Sequence, residues 1–319
     1  MVESPTGLEV SIPGSQLQRL MRMAEAQPPL ATAVVHPVDV LSLTGAVEAA
    51  KRGMITPILI GPKARVEAAA RDAGRDISAF QLVDVEHSHQ AAQTACAMAA
   101  KGQAAAIMKG ALHTDELLEA VVAPGSGLRT DRRMSHVFVL DVPTYPRPLL
   151  VSDAALNISP DLAAKRDIVQ NAIDLAHAMG TPLPKVAILS AVETVNPKMM
   201  STLDAAALCK MADRGQIVGG LLDGPLAFDN AVSPEAARAK GIVSPVAGEA
   251  DILIVPDIES GNMLAKQLFY LSNAQSAGIV LGARAPIILT SRSDPEASRL
   301  ASCALAILVT QHQPTKYLR

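Results

Sequence analysis

Short β-branched runs alternate with longer Ala-rich segments from about residue 30 to the end of the chain. The runs are ATAVV (31–35), PILI (57–60), AAAIM (104–108), HVFVL (136–140), KVAIL (185–189), QIVGGLL (216–222), DILIV (251–255), GIVL (278–281) and PIILT (286–290). Most are apolar throughout, the pattern of strands covered on both faces, and the intervals are long enough for crossover helices. The chain therefore predicts an α/β fold with a largely parallel sheet. Two intervals predict helices in detail. In the first, Ser159 reads as N-cap, Pro160 as the first helical residue and Asp161 as a charge suited to the positive end. Val169, Ala172, Ile173 and Ala176 then share a face, and Gly180 ends the helix. Segment 201–215 repeats the plan, with Ser201 at its start, Leu203, Ala207, Leu208 and Met211 on one face, and Gly215 as terminator. In doubly wound folds the C-terminal ends of the strands are where ligands bind.

Composition sharpens this picture. The 319 residues are 49% apolar but only 2% aromatic, so the core is built from Ala, Val, Leu, Ile and Met, and the length allows one large unit or two lobes. Residues 1–18 mix Pro, Gly and Ser and read as a tail. The stretch PGSGLRTDRRMS, followed by DVPTYPRP, reads as the crossing between lobes, with the C-terminal strand and helix returning to the first lobe. The expected division is a first lobe of 19–142 plus 285–319 and a second of 143–284. A net charge of −3 without basic blocks gives no sign of a nucleic-acid partner. No apolar run reaches the ~20 residues of a membrane span, and the first twenty residues lack the apolar centre of a signal peptide. A soluble cytoplasmic protein is expected. Cys96, Cys209 and Cys303 lie far apart in apolar stretches and read as small buried hydrophobes.

Candidate chemistry gathers where strands end. PIILT hands over through Ser291-Arg292 to a helix expected from Ala297 to Val309, a place where hydroxyl, guanidinium and amides face a ligand. The competing reading is a cap at Ser291 or Ser293 and a surface pair between Arg292 and Asp294 or Glu296. Lys109-Gly110 closes another strand, Thr114 opens a helix, and Arg129, Arg132 and Arg133 crowd a loop with Ser135 behind them. Guanidinium groups grip phosphate in bidentate fashion, so this cluster suits a phosphorylated ligand; a solvated basic loop is the alternative. Asp153, Asp223, Asp257 and Glu259 follow apolar runs. They point to a polar cleft, although capping is the commoner use of each and no spacing requires a metal. His87 and His89 would share one side of a strand without a third metal ligand.

Taken together, MKGALHT, GLRTDRRMSHV, SDAALNISPDLAAK, AVETVNPKMMSTLDAAALCKMADRGQI, DGPLAFDNAVS, ADILIVPDIESGN and APIILTSRSD resemble the phosphate acetyltransferase and phosphate butyryltransferase family. The likeness leans to the butyryltransferase branch and to the acyltransferase part of enoyl-CoA hydratase fusions. It implies reversible acyl transfer between coenzyme A and inorganic phosphate in a ternary complex, with coenzyme A and acyl-CoA as substrates and no resident cofactor or metal. It also implies two lobes of the isocitrate/isopropylmalate dehydrogenase-like type, a site in the cleft and a homodimer through the second lobe. By the same resemblance, Ser291 and Arg292 lie at the reacting centre, Arg292 on phosphate or oxyanion charge and Ser291 as a hydrogen-bonding group. Lys109, Thr114, Arg129, Arg133, Ser135, Asp153, Asn157, Asp223, Gly261 and Asn262 are the expected substrate-binding residues. The family's acetyltransferases place an aspartate several residues after the Ser-Arg pair. Here Ser298 stands at that position, with Asp294 and Glu296 nearby, so Asp294, Glu296 or neither supplies the base, and Asp294 is the candidate carried forward. A metal-dependent hydroxy-acid dehydrogenase of the same fold and an inactive coenzyme A-binding subunit are the alternatives.

Overall fold

The computed structural model describes residues 14–290 and 294–312. The chain opens with α1 (Ser15–Glu25), β1 (Leu30–Val35), α2 (Val40–Lys51), β2 (Ile55–Gly61), α3 (Lys63–Asp72) and β3 (Gln81–Asp84). It continues with α4 (Ser88–Ala100), β4 (Ala106–Lys109), α5 (Thr114–Val122), β5 (Ser135–Asp141), β6 (Leu149–Ser152), α6 (Leu162–Ala178) and β7 (Lys185–Leu189). Then come α7 (Met200–Asp213), β8 (Leu221–Leu226), α8 (Phe228–Val232), α9 (Pro234–Ala239), β9 (Ile252–Ile254), α10 (Ile258–Leu271), β10 (Gln275–Leu281), β11 (Ile287–Ile288) and α11 (Glu296–His312). No helix among the described residues is long and apolar enough to cross a membrane.

Two compact units share the chain: residues 18–132 with 277–319, and residues 1–17 with 133–276. The exchanges at 132/133 and 276/277 differ from the 142/143 and 284/285 read from sequence because β5 pairs with β6 and β10 pairs with β11. In the first unit the strands run β3-β2-β1-β4-β11-β10, all parallel except β10 against β11. In the second they run β5-β6-β9-β7-β8, parallel except β5 against β6.

The first unit's core rests on Leu43, Leu59, Ile60, Ile107, Met108 and Leu117, all without solvent exposure, and on α11, buried without interruption from Ser298 to Thr310. A helix apolar all round belongs inside the domain. In the second unit α6 is buried on most of its circumference, including Lys165, Asp167 and Asn171. Lys165 meets its charge partner Asp204 at 2.6 Å.

Several local expectations change. Residues 15–18 belong to α1 rather than to a tail. The Asp141 carboxylate caps that helix by accepting from the N–H groups of Gln16 (2.7 Å) and Leu17 (3.3 Å). The N-cap of α6 is Asp161, accepting from Ala164 N–H, and the helix begins after Pro160. Ser201 lies inside α7, where its hydroxyl pairs with that of Ser190. QIVGGLL splits, since Gly219 turns at φ +84° and a side chain there would strike His177, so the strand starts at Leu221. His87 and His89 are not on a strand: His87 caps α4 and His89 lies within it, near Glu116. β3 and β6 were absent from the sequence reading.

Candidate active site

In the first unit the ends of β4 and β11 meet the start of α2. Lys109, at the end of β4, is buried (6% exposed), and so is Arg299 near the start of α11 (5%). Arg299 Nη1 donates to Thr290 Oγ1 at 3.3 Å. These groups, with Asp39, Leu41, Ser42 and Gly110, line a cavity of about 60 Å³. Asp39 is the N-cap of α2, accepting from Ser42 N–H and hydroxyl, both at 2.7 Å. Gly110 is required by the close approach of β1: an added Cβ would collide with the carbonyl oxygens of Val35 and His36.

Ser291 and Arg292 lie outside the described residues. Thr290 before them lines the cavity. Asp294 after them is half-buried, just ahead of α11, and engaged with its neighbours. Ser298 is buried and its carbonyl accepts from Ser302, so no carboxylate stands there. Thr114 is the first residue of α5, and Arg129 is exposed. The arginine loop is fastened rather than loose: Thr130 Oγ1 donates to Gly282 O and Arg284 N–H to Leu128 O.

The second unit holds the other group. After β6 the chain turns around Asp153, whose carboxylate accepts from the N–H groups of Ala155 (3.0 Å), Leu156 (3.1 Å) and Asn157 (3.1 Å), and from Asn157 Nδ2 (2.5 Å). Asn157 Oδ1 in turn accepts from Arg133 Nε at 2.8 Å. The Arg133 backbone is pinned by Asp167, which accepts its N–H, and by Asn171, which donates to its carbonyl and to Ser135 Oγ. On α10, Gly261 packs against the same turn: a Cβ there would lie 2.6 Å from Val255 Cγ2 and 3.1 Å from Ala154 Cα. Asn262 Nδ2 donates to Ala154 O and lines an open pocket of about 560 Å³ with Ala155, Ile258, Glu259 and Met263.

The structure thus joins Arg133, Ser135, Asp153, Asn157, Gly261 and Asn262 through one network, with Asp153 as its turn-builder. Asp223 stands apart on the edge strand β8, paired in register with Ala187 and separated from β6 by β9 and β7. Asp257 caps α10. Among the described residues no group of three or more His, Cys, Asp or Glu side chains is placed to hold a metal ion.

The sequence reading missed Arg299, Asp39, Asp167 and Asn171. The signal for the last two was a pair of polar residues four apart on a buried helix face. Burial pushes the thiols of Cys96 up to about 11 and of Cys209 and Cys303 up to about 12, so none is a ready nucleophile.

His136 adds a pH dependence. It is buried on β5, and its Nδ1 has no hydrogen-bond partner among the described residues. Burial pulls its pKa from 6.5 to about 4, with the Asp153 carboxylate acting in the opposite sense. Between those values the unfolded chain binds the proton more readily. Stability is therefore complete above pH 6.5 and falls as pH drops towards 4, by on the order of 3 kcal/mol at the lower end. Urea midpoints of wild type and His136→Asn between pH 4.5 and 7.5 check this; the variant's curve is expected to be flatter.

Known proteins agree with these motifs. Residues 88–307 match the family described as "Phosphate acetyl/butaryl transferase". The chain is 59% identical to a phosphate acetyltransferase of Rhizobium meliloti over 92% of its own length and 93% of the relative's. It is 44% identical to a phosphate butyryltransferase of Clostridium acetobutylicum over 82% and 87%. The higher of these identities is to the acetyltransferase, whereas the motifs had leaned to the butyryl branch. A branched-chain phosphotransacylase structure from Enterococcus faecalis superposes with a TM-score of 0.78 at 30% identity, over 89% of this chain and 99% of that one. With this likeness running through the Lys109 cavity and the Asp153 network alike, the chain belongs to the phosphate acetyl/butyryl transferase family and is a phosphate acyltransferase.

Proposed function

We propose that the protein transfers a short acyl group, acetyl in preference to butyryl, between coenzyme A and inorganic phosphate within a ternary complex. The observation that carries this reading is the small cavity between Lys109, Thr290 and Arg299, reached by the residue that precedes Ser291-Arg292. A phosphate oxygen attacks the thioester carbonyl, the C–S bond breaks, and coenzyme A leaves as thiol. The proton of hydrogen phosphate ends on sulfur, so atoms and charge balance. In reverse the thiol proton ends on the released phosphate, and we assign its relay to Asp294.

Arg292 neutralises the phosphate or the oxyanion and Ser291 hydrogen-bonds it. Arg133 and Asn262, held by the Asp153 turn, contact the coenzyme A thioester, and the larger pocket beside Asn262 has the volume of a cofactor-sized group. The same reading includes two lobes of the isocitrate/isopropylmalate dehydrogenase type and a homodimer through the second lobe; a sizing column checks the dimeric mass.

The test is phosphate-dependent thiol release from acetyl-, propionyl- and butyryl-CoA. The identity to the Rhizobium meliloti relative supports acetyl-CoA. Since two methylenes are worth ~1 to 3 kcal/mol each, acetyl-CoA is expected to lead butyryl-CoA in kcat/KM by at least about tenfold. A butyryl-CoA preference would reverse the chain-length assignment. Absence of thiol release, with oxidation of a hydroxy acid by NAD or NADP, would sink the reading.

A further inference from the structure

α11 is an interior helix, and two of its buried hydroxyls are spent within the fold. Ser302 Oγ donates to Ser298 O and accepts from Gly278 N–H, and Thr310 Oγ1 donates to Ala306 O. Arg299 differs. Arginine is rarely buried without a specific reason, and this one sends its guanidinium out of the apolar packing to Thr290 and the cavity. The fold makes room for it: α2 carries Gly45 beside the arginine stem, where a Cβ would lie 3.0 Å from Arg299 Cδ. Lys109 brings a second buried positive charge to the same lining. Asp39 supplies one negative charge there, committed to the N–H and hydroxyl of Ser42.

The size of the cavity selects its occupant. Room for one water takes roughly 10 to 15 Å³ on the same scale, so about 60 Å³ accommodates four to six heavy atoms. That matches a tetrahedral oxyanion of five heavy atoms and is too small for the whole of coenzyme A. Resting on the acyltransferase reading, we infer that Arg299, together with Lys109, is the pair of buried cations that holds inorganic phosphate for attack. Ser298 is thereby followed by a substrate-binding cation. Thr290 orients the guanidinium, and Gly45 keeps its path open.

Arg299→Met retains the length and apolar contacts of the stem but removes the charge. The expected result is a rise in KM for inorganic phosphate of about 10- to 100-fold, the worth of one charge-assisted hydrogen-bonded contact, with KM for acyl-CoA within about twofold. Thr290→Val should raise the phosphate KM by a smaller factor, and it tests the same contact if Arg299→Met does not fold. A second measurement needs no turnover: inorganic phosphate alone should raise the thermal midpoint of wild type but not of Arg299→Met, while coenzyme A alone should raise both. If both variants keep the wild-type phosphate KM, or if Arg299→Met keeps the phosphate-induced shift, the inference is overturned. Loss of the coenzyme A shift as well would assign the cavity to a coenzyme A phosphate instead, which also overturns it. Failure of wild type to release thiol would strike the acyltransferase reading, and the thermal arm would still report on the cavity.

Discussion

Replacing Arg292 with Ala is expected to lower kcat/KM for phosphate-dependent thiol release by about 10² to 10³, which in its proposed role is the cost of removing one donor from a developing oxyanion. Phosphate carries negative charge into the reaction, and the thioester carbonyl becomes an oxyanion when attacked, so both partners repel unless fixed cations stand beside them. A guanidinium can span two oxygens at once, which an ammonium cannot. Arg292→Lys is accordingly expected to recover only part of the loss, and to recover more of KM for phosphate than of kcat. Folding should be nearly indifferent to either change, with thermal midpoints within about 2 °C of wild type. An unchanged rate in Arg292→Ala would remove this residue from the reacting centre. A proportional fall in stability would make it structural.

The fold was legible where strands are covered on both faces. β1, β7 and β10 lie within a few residues of the runs read for them, since a continuous apolar run admits little else in an α/β chain. β3 was not legible because it is a short edge strand, exposed at both ends. β6 was hidden by the prolines that precede it. QIVGGLL misled because apolar character extends back into a turn that only glycine can make. At the site, Lys109 was legible as a charge closing a strand. Arg299 was not, because a single arginine ahead of LASCALAILV looks like the solvent end of an amphipathic helix. Only the packing of α11 on every side shows that this position is interior and must have a polar neighbour. Asp153 was legible as a polar residue after a strand, but which of its two uses applied depended on distances.

Those distances make Asp153→Ala the most damaging single change expected in the second unit. The carboxylate takes three backbone N–H groups and one side-chain amide into a site only 2% exposed. Truncation leaves those donors without an acceptor in a place water reaches poorly, and each orphaned buried group costs ~1 to 3 kcal/mol. Partial relaxation of the turn offsets some of this, so a net loss of at least about 3 kcal/mol is expected, or roughly 6 to 12 °C in thermal midpoint. Asp153→Asn should do less harm, because its amide oxygen can still serve Ala155 and Leu156. Its NH₂ group would then face the donors of Asn157, which turns an attraction into a repulsion. Asn157 holds Arg133, and Ala154 receives Asn262. Both variants should therefore raise KM for acyl-CoA even at temperatures where they remain folded, whereas, with phosphate assigned to the Arg299 cavity, the phosphate KM should stay near its wild-type value. A midpoint within about 2 °C of wild type in Asp153→Ala would mean that the turn is held by its packing against Gly261, and that the carboxylate serves the substrate instead.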